Sequence, residues 1–334
     1  MKIIVDAFGG DNAPVEIIKG AISASEKYNL DILFTGDEQK IKDVISEYSL
    51  NDKRVEIVNT TELITMHDEP VKAVRSKKDS SLVVGAKLLK EGKGDAYVSA
   101  GSTGALLTAA TLVVGRIKGI KRPALATVIP TAKGASLLLD CGANVDCKPE
   151  YLQQFAVMGS VYAAPMLGIT NPIVGLLNNG TEDSKGTDVH KQANELLKTT
   201  EHINYIGNIE GKEYVMGGCD VLVADGFSGN IFLKTMEGTA KMIMKEIKGI
   251  FLSSLKNKLA ALVVKGSVND LKKKMDASEY GGAPLLGICK PVIKAHGNSD
   301  AKGFESAVRQ AMNFVNAGIV ETIEKSMPKT EIDS

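Results

Sequence analysis

Residues 97–107 read YVSAGSTGALL, and this stretch decides the fold class. The apolar run Ala96–Ser99 is typical of a buried strand, the small residues Gly101–Gly104 indicate a turn, and a helical pattern begins at Thr103. Turns that join a strand to a helix in this way often bind phosphate, because the first N–H groups of a helix have no intrahelical acceptor. No Lys follows the glycines, so the stretch is not a nucleotide-binding P-loop.

The same alternation of strands and helices continues on both sides of this stretch. Strands are predicted at Lys2–Asp6, Asp31–Gly36, Val55–Val58, Ala96–Ser99, Leu125–Ile129, Leu137–Asp140, Ile173–Leu177, Val221–Ala224 and Val292–Lys294. Helices are predicted over Ala13–Tyr28, Asp37–Tyr48, Ser81–Lys90, Pro149–Ala164, Asn230–Lys248 and Lys302–Glu324. Apolar strands that alternate with helices predict an α/β fold with three layers (α/β/α) and a mostly parallel sheet. We expect a single domain over residues 1–334.

The bulk composition argues against several classes of protein. The formal net charge is zero, so the overall charge favours no nucleic-acid partner. The four cysteines form no CxxC pair and the four histidines have no ligand spacing, so no metal is expected. The first strand is not followed by GxGxxG, which argues against a dinucleotide, and no cofactor is predicted. The N-terminus resembles a strand rather than a signal peptide, and a cytoplasmic protein is expected.

One segment is strongly basic. Residues 241–274 contain nine lysines and two acidic residues, a net charge of +7, so the rest of the chain carries −7. We predict an amphipathic helical hairpin over residues 247–276, with the first helix ending at Gly266. Its exposed contacts would be Leu255, Lys256, Lys258, Leu259, Leu262 and Val263. The apolar face packs on the core or on a second subunit, or it meets an anionic membrane or an acidic protein.

Six of the predicted strands end in loops that are rich in glycine and polar residues. A glycine after a strand is usually only turn geometry, but six such loops at one edge of a sheet predict a binding crevice. The helix starts and hydroxyl groups in these loops suit phosphate or a phosphorylated substrate, and Lys185 and His296 add positive or proton-donating groups. The candidate binding residues are Asp6, Gly9, Gly10, Ser99, Gly101, Ser102, Thr103, Gly104, Asp140, Asn144, Asn178, Gly180, Asp225, Gly226, Ser228 and Gly229.

The loops together resemble a known family. The quoted motifs are VDAFGGDNAP (5–14), AVRSKKDSSL (73–82), VSAGSTGALL (98–107), LLLDCGAN (137–144), GLLNNGTEDSKG (175–186), VADGFSGNIFLKTMEG (223–238), YGGAPLLG (280–287) and VIKAHGNSD (292–300). They are similar, in this order, to the acyl-acyl carrier protein:phosphate acyltransferase family (PlsX), over residues 1 to about 316. The chain departs at Ser102, where the family usually has Asn, and at Cys141, where Val is usual.

The resemblance implies a homodimeric enzyme with the fold of phosphate acetyltransferases and isocitrate-type dehydrogenases. It would transfer a fatty acyl group from acyl carrier protein to inorganic phosphate. The acyl phosphate then serves a membrane glycerol-3-phosphate acyltransferase in phospholipid synthesis, so a peripheral position on the inner face of the cell membrane is expected. Two rivals remain: a phosphotransacylase of the same fold that uses acyl-CoA, and a non-catalytic sensor of acyl carrier protein or of phosphorylated ligands.

With this reaction in view, we assign roles to individual residues as a hypothesis. The Gly101–Gly104 turn would hold phosphate with Ser102 and Thr103, and Lys185 would neutralise charge on phosphate or on the tetrahedral intermediate. Asn230 and Asn178 would orient the thioester carbonyl, and His296 is a candidate acid for the departing thiol. Four carboxylates would orient loops, because a carboxylate that faces phosphate repels it: Asp6, Asp11, Asp140 and Asp225.

Overall fold

The computed structural model describes residues 1–274 and 281–327. The strands are β1 (Lys2–Asp6), β2 (Asp31–Gly36), β3 (Val55–Asn59), β4 (Ala96–Ser99), β5 (Ala124–Thr131), β6 (Gly134–Leu139), β7 (Ile173–Leu177), β8 (Asn204–Ile209), β9 (Val221–Val223), β10 (Ala283–Leu286) and β11 (Val292–Lys294). The helices are α1 (Val15–Tyr28), α2 (Glu38–Glu47), α3 (Pro70–Ser76), α4 (Ser81–Lys90), α5 (Thr103–Ala109), α6 (Pro149–Leu167), α7 (Asp188–Lys198), α8 (Gly211–Val215), α9 (Gly226–Leu252), α10 (Leu255–Lys274), α11 (Ala301–Asn316) and α12 (Ile319–Ser326).

The strands of the described residues form one sheet in the order β3-β2-β1-β4-β11-β10-β5-β6-β9-β7-β8. One group of neighbours, β3-β2-β1-β4-β11, is parallel throughout, and a second group, β6-β9-β7-β8, is also parallel throughout. Between the two groups, β10 pairs antiparallel with β11 and with β5, and β5 pairs antiparallel with β6. Three successive reversals mean that the two parallel groups run in opposite directions.

Both faces of the sheet are covered by helices. Along β1, Ile3 and Val5 belong to the apolar core that contains side chains of α1, α2, α6, α7, α11 and α12. Ile4, which points to the other face, belongs to the core that contains side chains of α3, α4, α5, α8 and the start of α9. Strands that are buried on both faces explain the near-continuous apolar runs in the sequence. The predicted three-layer fold with a mostly parallel sheet is confirmed.

Several elements differ from the sequence-based expectation. The predictions omitted β8 and β10, because β8 contains a glycine in an irregular register with β7 and β10 has only four residues, one of them a proline. They also omitted α3, α7 and α8. The helix predicted over Lys302–Glu324 is two helices, since Gly318 adopts a left-handed φ of 59° between them. In addition, α9 begins at Gly226, four residues before the predicted start.

The two helices α9 and α10 form a hairpin that turns at Ser253 and Ser254. The predicted helix end at Gly266 is wrong, because α10 runs through this glycine, which costs a helix only about 1 kcal/mol relative to alanine. No residue of α9 after Leu233 is buried, and none of the described side chains of α10 is buried. The alternative that the apolar face of this hairpin packs on the core of its own chain is therefore wrong. Residues 275 and 276, the predicted end of the hairpin, lie outside the described residues.

Candidate active site

The loops that follow β1, β4 and β11 contact one another and are called the first loop cluster here (residues 6–12, 99–104 and 294–299). The backbone N–H of Asp11 donates to the carbonyl oxygen of Gly297 at 2.7 Å, and that of Ala295 donates to Ser99 at 2.9 Å. The Nδ2 amide of Asn12 donates to the carbonyl oxygen of Asn298 at 3.0 Å. Three loops that are far apart in sequence thus form one unit.

Asp6 lies at the buried centre of the first loop cluster. The hydroxyl of Ser99 donates to Asp6 Oδ2 at 2.7 Å, and the backbone N–H of Gly101 donates to that hydroxyl at 3.0 Å. Burial raises the pKa of Asp6, and the nearby hydroxyl groups of Ser81 and Ser99 act in the opposite direction. A Cβ on Gly9 would lie 2.6 Å from Asp6 Oδ2, so only glycine fits there. Asp6 therefore orients loops rather than facing a bound anion.

The turn between β4 and α5 contains backbone donors that have no acceptor in the described chain. Ser102 is the N-cap of α5, and its hydroxyl accepts from the N–H of Ala105 at 3.5 Å. In the described part of the chain, the N–H groups of Ser102, Thr103 and Gly104 have no acceptor. Three adjacent unpaired donors at the start of a helix suit an anion. The N–H of Gly101 is not among them, because it is held by Ser99.

Lys294, which the sequence analysis did not single out, lies next to this turn. Its ammonium donates to the carbonyl oxygen of Ala100 at 3.0 Å and also to that of Ala295. Only 8% of Lys294 is exposed. Burial lowers the pKa of Lys294 to about 8, while the fields of Asp6 and Asp11 act in the opposite direction. The available signal was a lysine in the last position of an otherwise apolar strand, VIK.

Two more predicted residues of the first cluster are placed by the structure. His296 is exposed, and its ring has no hydrogen-bond partner among the described residues. Gly10 has a φ of 106°, and a Cβ there would lie 2.9 Å from the carbonyl oxygen of Gly297. Gly10 thus allows the first loop to approach the loop after β11, whereas His296 faces solvent and is free to meet a substrate.

The loops that follow β6, β7 and β9 form the second loop cluster (residues 140–144, 178–187 and 225–230). Asp140 organises the first of these loops: Oδ1 accepts from the N–H groups of Leu125 and Ala143, and Oδ2 accepts from the backbone and the side chain of Asn144. The Asn144 amide also donates to the carbonyl oxygen of Pro123 at 2.8 Å. Burial raises the pKa of Asp140. Asp140 and Asn144 therefore stabilise their loop.

The start of α9 packs directly on that loop. Asp225 is the N-cap and accepts from the N–H groups of Phe227 and Ser228. The N–H of Gly226 donates to the carbonyl oxygen of Asn144 at 2.7 Å, and a Cβ on Gly229 would lie 2.0 Å from the carbonyl oxygen of Asp140. These two glycines allow a helix to lie against a loop backbone. They are placed for packing, and Ser228 is half-buried beside them.

Asn230 and Lys185 are two exposed polar residues of the second cluster whose side chains have no partner among the described residues. Asn230 is exposed, its Cβ lies against Gly142, and its amide has no partner within the described ranges. Lys185 is also exposed, and its aliphatic stem packs over Gly180, where a Cβ would lie 2.8 Å from Lys185 Cγ. Asn178 donates to the carbonyl oxygen of Lys185 at 3.3 Å and so closes the loop. Both exposed side chains are free to contact a ligand.

His190 is a second residue that the sequence analysis passed over. Its Nδ1 lies 2.8 Å from Thr187 Oγ1, and its Nε2 lies 3.8 Å from Asp225 Oδ2. Burial lowers the pKa of His190, and the field of Asp225 partly offsets this effect. The imidazole therefore fills the space between the N-terminal ends of α7 and α9. No sequence signal pointed to this contact, because Thr187 and Asp225 are far apart in the chain.

The prediction that all six loops lie at one edge of the sheet is wrong. The first cluster follows strands of one direction and the second cluster follows strands of the opposite direction. Within residues 1–274 and 281–327, no hydrogen bond joins the two clusters. The cause is the antiparallel centre of the sheet, β10-β5-β6, whose strand directions no local sequence pattern encodes.

The cysteines nearest the clusters are poor nucleophiles. Cys141 is buried, and burial raises the pKa of its thiol well above the usual value. Burial likewise raises the pKa of Cys147 to about 12. A thiol at neutral pH reacts slowly, because the thiolate is the nucleophile. Neither loop cluster therefore contains an activated cysteine.

Comparison with known proteins defines the class of protein. The chain belongs to a family of fatty acid synthesis proteins, whose family model matches residues 1–322. The resemblance drawn from the loop motifs is thus confirmed.

Curated relatives carry a more specific name. A phosphate acyltransferase from Clostridioides difficile is 48% identical over 330 residues, covering 98% of this chain and 97% of the relative. A phosphate acyltransferase from Geobacillus sp. is 51% identical over 329 residues, covering 98% of both chains.

Solved structures share the fold at lower identity. A phosphotransacetylase from Streptococcus pyogenes aligns with a TM-score of 0.65 and 18% identity, covering 96% of this chain and 94% of that one. A branched-chain phosphotransacylase from Enterococcus faecalis aligns with a TM-score of 0.58 and 15% identity, covering 94% of this chain and 99% of that one.

Proposed function

We propose that this protein is a phosphate acyltransferase that transfers a fatty acyl group from acyl carrier protein to inorganic phosphate. The single observation that carries the proposal is the Ser102–Gly104 turn, whose three N–H groups have no acceptor in the described chain and lie beside the buried ammonium of Lys294. Relatives that are 48% and 51% identical over nearly the whole chain are named phosphate acyltransferase, and their names support the same reaction.

The chemistry fits a site without a nucleophilic side chain. Phosphate attacks the thioester carbon, the carbon–sulfur bond breaks, and the products are acyl phosphate and the thiol of the carrier protein. Inorganic phosphate carries between one and two negative charges near neutral pH, so a substantial fraction of it is the nucleophilic dianion. The thiolate that leaves has a pKa of about 8.5 in its free form, so only a weak acid is needed. The enzyme contributes orientation and stabilisation of the oxyanion.

The two loop clusters divide this work. The first cluster holds phosphate at the Ser102–Gly104 turn, where the helix start and neighbouring positive charge favour an anion. The second cluster offers Lys185 and Asn230, both exposed and unpartnered in the described chain, to the thioester oxygen. In this proposal His296, which is exposed in the first cluster, is the proton donor for the departing thiol.

The twist of the sheet supports a shared cleft for the two clusters. Sheets twist by about 20–25° per strand, so the six pairings that separate β4 from β7 rotate the strand axis by about 120–150°. When strands run in opposite directions, a rotation of this size turns their carboxyl ends toward the same side of the sheet. In this proposal the two clusters face one cleft, either within a chain or between the subunits of a homodimer.

The α9–α10 hairpin is the proposed contact with the membrane. Its apolar side chains lie in solvent, with Val263 86% and Leu255 77% exposed, and they are interspersed with Lys256 and Lys258. Apolar residues that insert into the headgroup region and lysines that meet anionic lipids are the usual means of peripheral binding. No described helix has the length and hydropathy to cross a bilayer. Binding at the inner face of the membrane would bring acyl phosphate to the glycerol-3-phosphate acyltransferase.

A comparison of acyl donors tests the function. Purified protein is incubated with long-chain acyl-acyl carrier protein or with acyl-CoA, with and without inorganic phosphate, and thiol release and acyl phosphate are measured. The proposal predicts phosphate-dependent thiol release and acyl phosphate from the carrier-protein substrate. Equal or faster turnover of acyl-CoA would instead support a phosphotransacylase of the same fold. Binding of acyl carrier protein without any thiol release would support the non-catalytic sensor.

A further inference from the structure

Three polar residues form a row across the neighbouring strands β1, β4 and β11. Lys294 pairs in register with Ser99, and Val5 pairs with Val98, so Asp6 and Ser99 occupy the next positions of their strands. Asp6, Ser99 and Lys294 are all buried. Their strand neighbours Val5, Val98 and Ile293 point to the opposite face of the sheet, which places the row on the face covered by α4 and α5.

This row holds one peptide group from both sides. The carbonyl oxygen of Ala100 accepts from the Lys294 ammonium at 3.0 Å, while the N–H of Gly101 in the same peptide donates to the Ser99 hydroxyl. That hydroxyl in turn donates to Asp6. Because a peptide group is planar, fixing its carbonyl and its N–H fixes its orientation completely. The peptide enters the turn whose next three N–H groups are free.

We propose that Asp6 and Lys294 act together as positioning residues that fix the Ala100–Gly101 peptide and thereby direct the N–H groups of Ser102–Gly104 toward phosphate. The inference rests on the proposed function and extends it to two buried residues that do not face the substrate. Lys294 also holds the carbonyl oxygen of Ala295, so the same ammonium fixes the loop that carries His296.

Burying the ammonium of Lys294 costs free energy, and among the described residues no close ion pair offsets this cost. In the described residues no carboxylate lies within 4.0 Å of its ammonium, and two backbone carbonyls accept two of its three N–H bonds. A buried charge without a close ion pair destabilises a fold, and an apolar residue of similar length would fill the position without this cost. A positive charge retained there is explained by the positioning of an anion-binding turn.

Steady-state kinetics of Lys294→Met test the inference. We expect the KM for phosphate to rise about tenfold or more, the typical effect of losing a charge-assisted hydrogen bond, and the KM for acyl carrier protein substrate to change less than about twofold. Lys290→Met is the matched control, because Lys290 is an exposed lysine between β10 and β11. A KM for phosphate within about twofold of wild type in Lys294→Met would overturn the inference.

A double variant separates positioning from a general effect on folding. Asp6→Asn/Lys294→Met removes both buried charges, so neither is left uncompensated, and it is the variant to use if the single one does not fold. The losses in kcat/KM for phosphate that Asp6→Asn and Lys294→Met cause as single variants are compared with the loss in the double variant. We expect these losses to be strongly non-additive. Losses that multiply would show that the residues act independently and would contradict the inference.

The test also distinguishes failure of the inference from failure of the proposed function. If the wild-type protein forms no acyl phosphate, the proposed function is wrong. The positioning role is then tested by the binding of inorganic phosphate alone, without an acyl donor. Phosphate should raise the melting temperature of the wild-type protein and of Lys290→Met, but not that of Lys294→Met. Equal stabilisation of all three proteins would overturn the positioning role.

Discussion

The two loop clusters use charge in different ways. In the first cluster two charged residues, Asp6 and Lys294, are buried, and their hydrogen bonds end on the loops themselves. In the second cluster the carboxylates Asp140 and Asp225 hold the loops, whereas the cation, Lys185, is exposed and unpartnered within the described chain. The first cluster has a fixed backbone site, and the second has side chains that are free to move.

This difference fits the two partners of an acyl transfer. Phosphate is small and rigid, so a preformed turn of backbone donors can bind it without paying to order side chains. An acyl chain on a carrier protein is large and arrives from solvent, so exposed side chains are better placed to meet its thioester. We therefore expect variants that disturb the backbone site of the first cluster to change the KM for phosphate, and variants of Lys185 and Asn230 in the second cluster to change kcat.

The largest effect is expected for Lys185→Ala. Removing a group that stabilises transition-state charge typically lowers kcat about 10²–10³-fold, and the exposed position should leave the melting temperature unchanged. Steady-state assays of acyl phosphate formation measure this effect. Lys191→Ala, on the exposed side of α7, is the control and should retain activity. Near wild-type turnover of Lys185→Ala would remove the second cluster from the mechanism.

The pH dependence of stability probes the buried charge of the first cluster. Lys294 has a pKa of about 8 in the folded protein and 10.5 as its ordinary value, so between these pH values the unfolded chain binds a proton that the folded chain has released. The cost of burying the charge is therefore fully present below pH 8 and is relieved as the pH rises to 10.5.

Urea unfolding of the wild-type protein and of Lys294→Met measures this relief. From pH 7.5 to 10.5 the free energy of unfolding of the wild type should rise relative to the variant, by at most about 3 kcal/mol. The Asp6 carboxyl, whose pKa burial raises, is present in both proteins. A difference between the two proteins that stays constant over this range would mean that the ammonium is not held in a desolvated site.

The hairpin gives a prediction of intermediate size. Leu259→Glu places a charge on the apolar face, so binding to anionic vesicles should weaken about tenfold, the loss expected for one leucine that no longer enters the interface. Sedimentation with liposomes measures the bound fraction. Met216→Glu replaces an equally exposed apolar residue after α8 and should bind like the wild type. Unchanged binding of Leu259→Glu would favour a second subunit as the cover of this face.

The smallest effect is expected at Ser102. Asn is as good an N-cap as Ser, and the three free N–H groups of the turn are backbone atoms, so Ser102→Asn should change the KM for phosphate less than about threefold. The KM for phosphate is measured by steady-state kinetics at a saturating concentration of the acyl donor. A change of tenfold or more would mean that the side chain at position 102, and not the backbone, decides phosphate affinity.

The sequence was informative where a pattern is local. The apolar run at Ala96–Ser99 and the small residues after it predict both the strand and the turn into the next helix, since both follow from residues that are neighbours in the chain. The opposite direction of the two parallel groups depends on the pairing of β10 with β5, which no local pattern encodes. His190 was missed for the same reason, because Asp225 comes from a distant loop. Lys294 ends an otherwise apolar strand, which is a local signal, but its contact with Ala100 joins distant loops.

The stoichiometry of the reaction is the most direct test of the central claim. The protein is incubated with long-chain acyl-acyl carrier protein and inorganic phosphate, and thiol and acyl phosphate are quantified together in time. The account predicts one acyl phosphate for each thiol released, and no thiol release when phosphate is omitted. Thiol release that continues without phosphate and yields free fatty acid would show that water is the nucleophile, and this result would contradict the account.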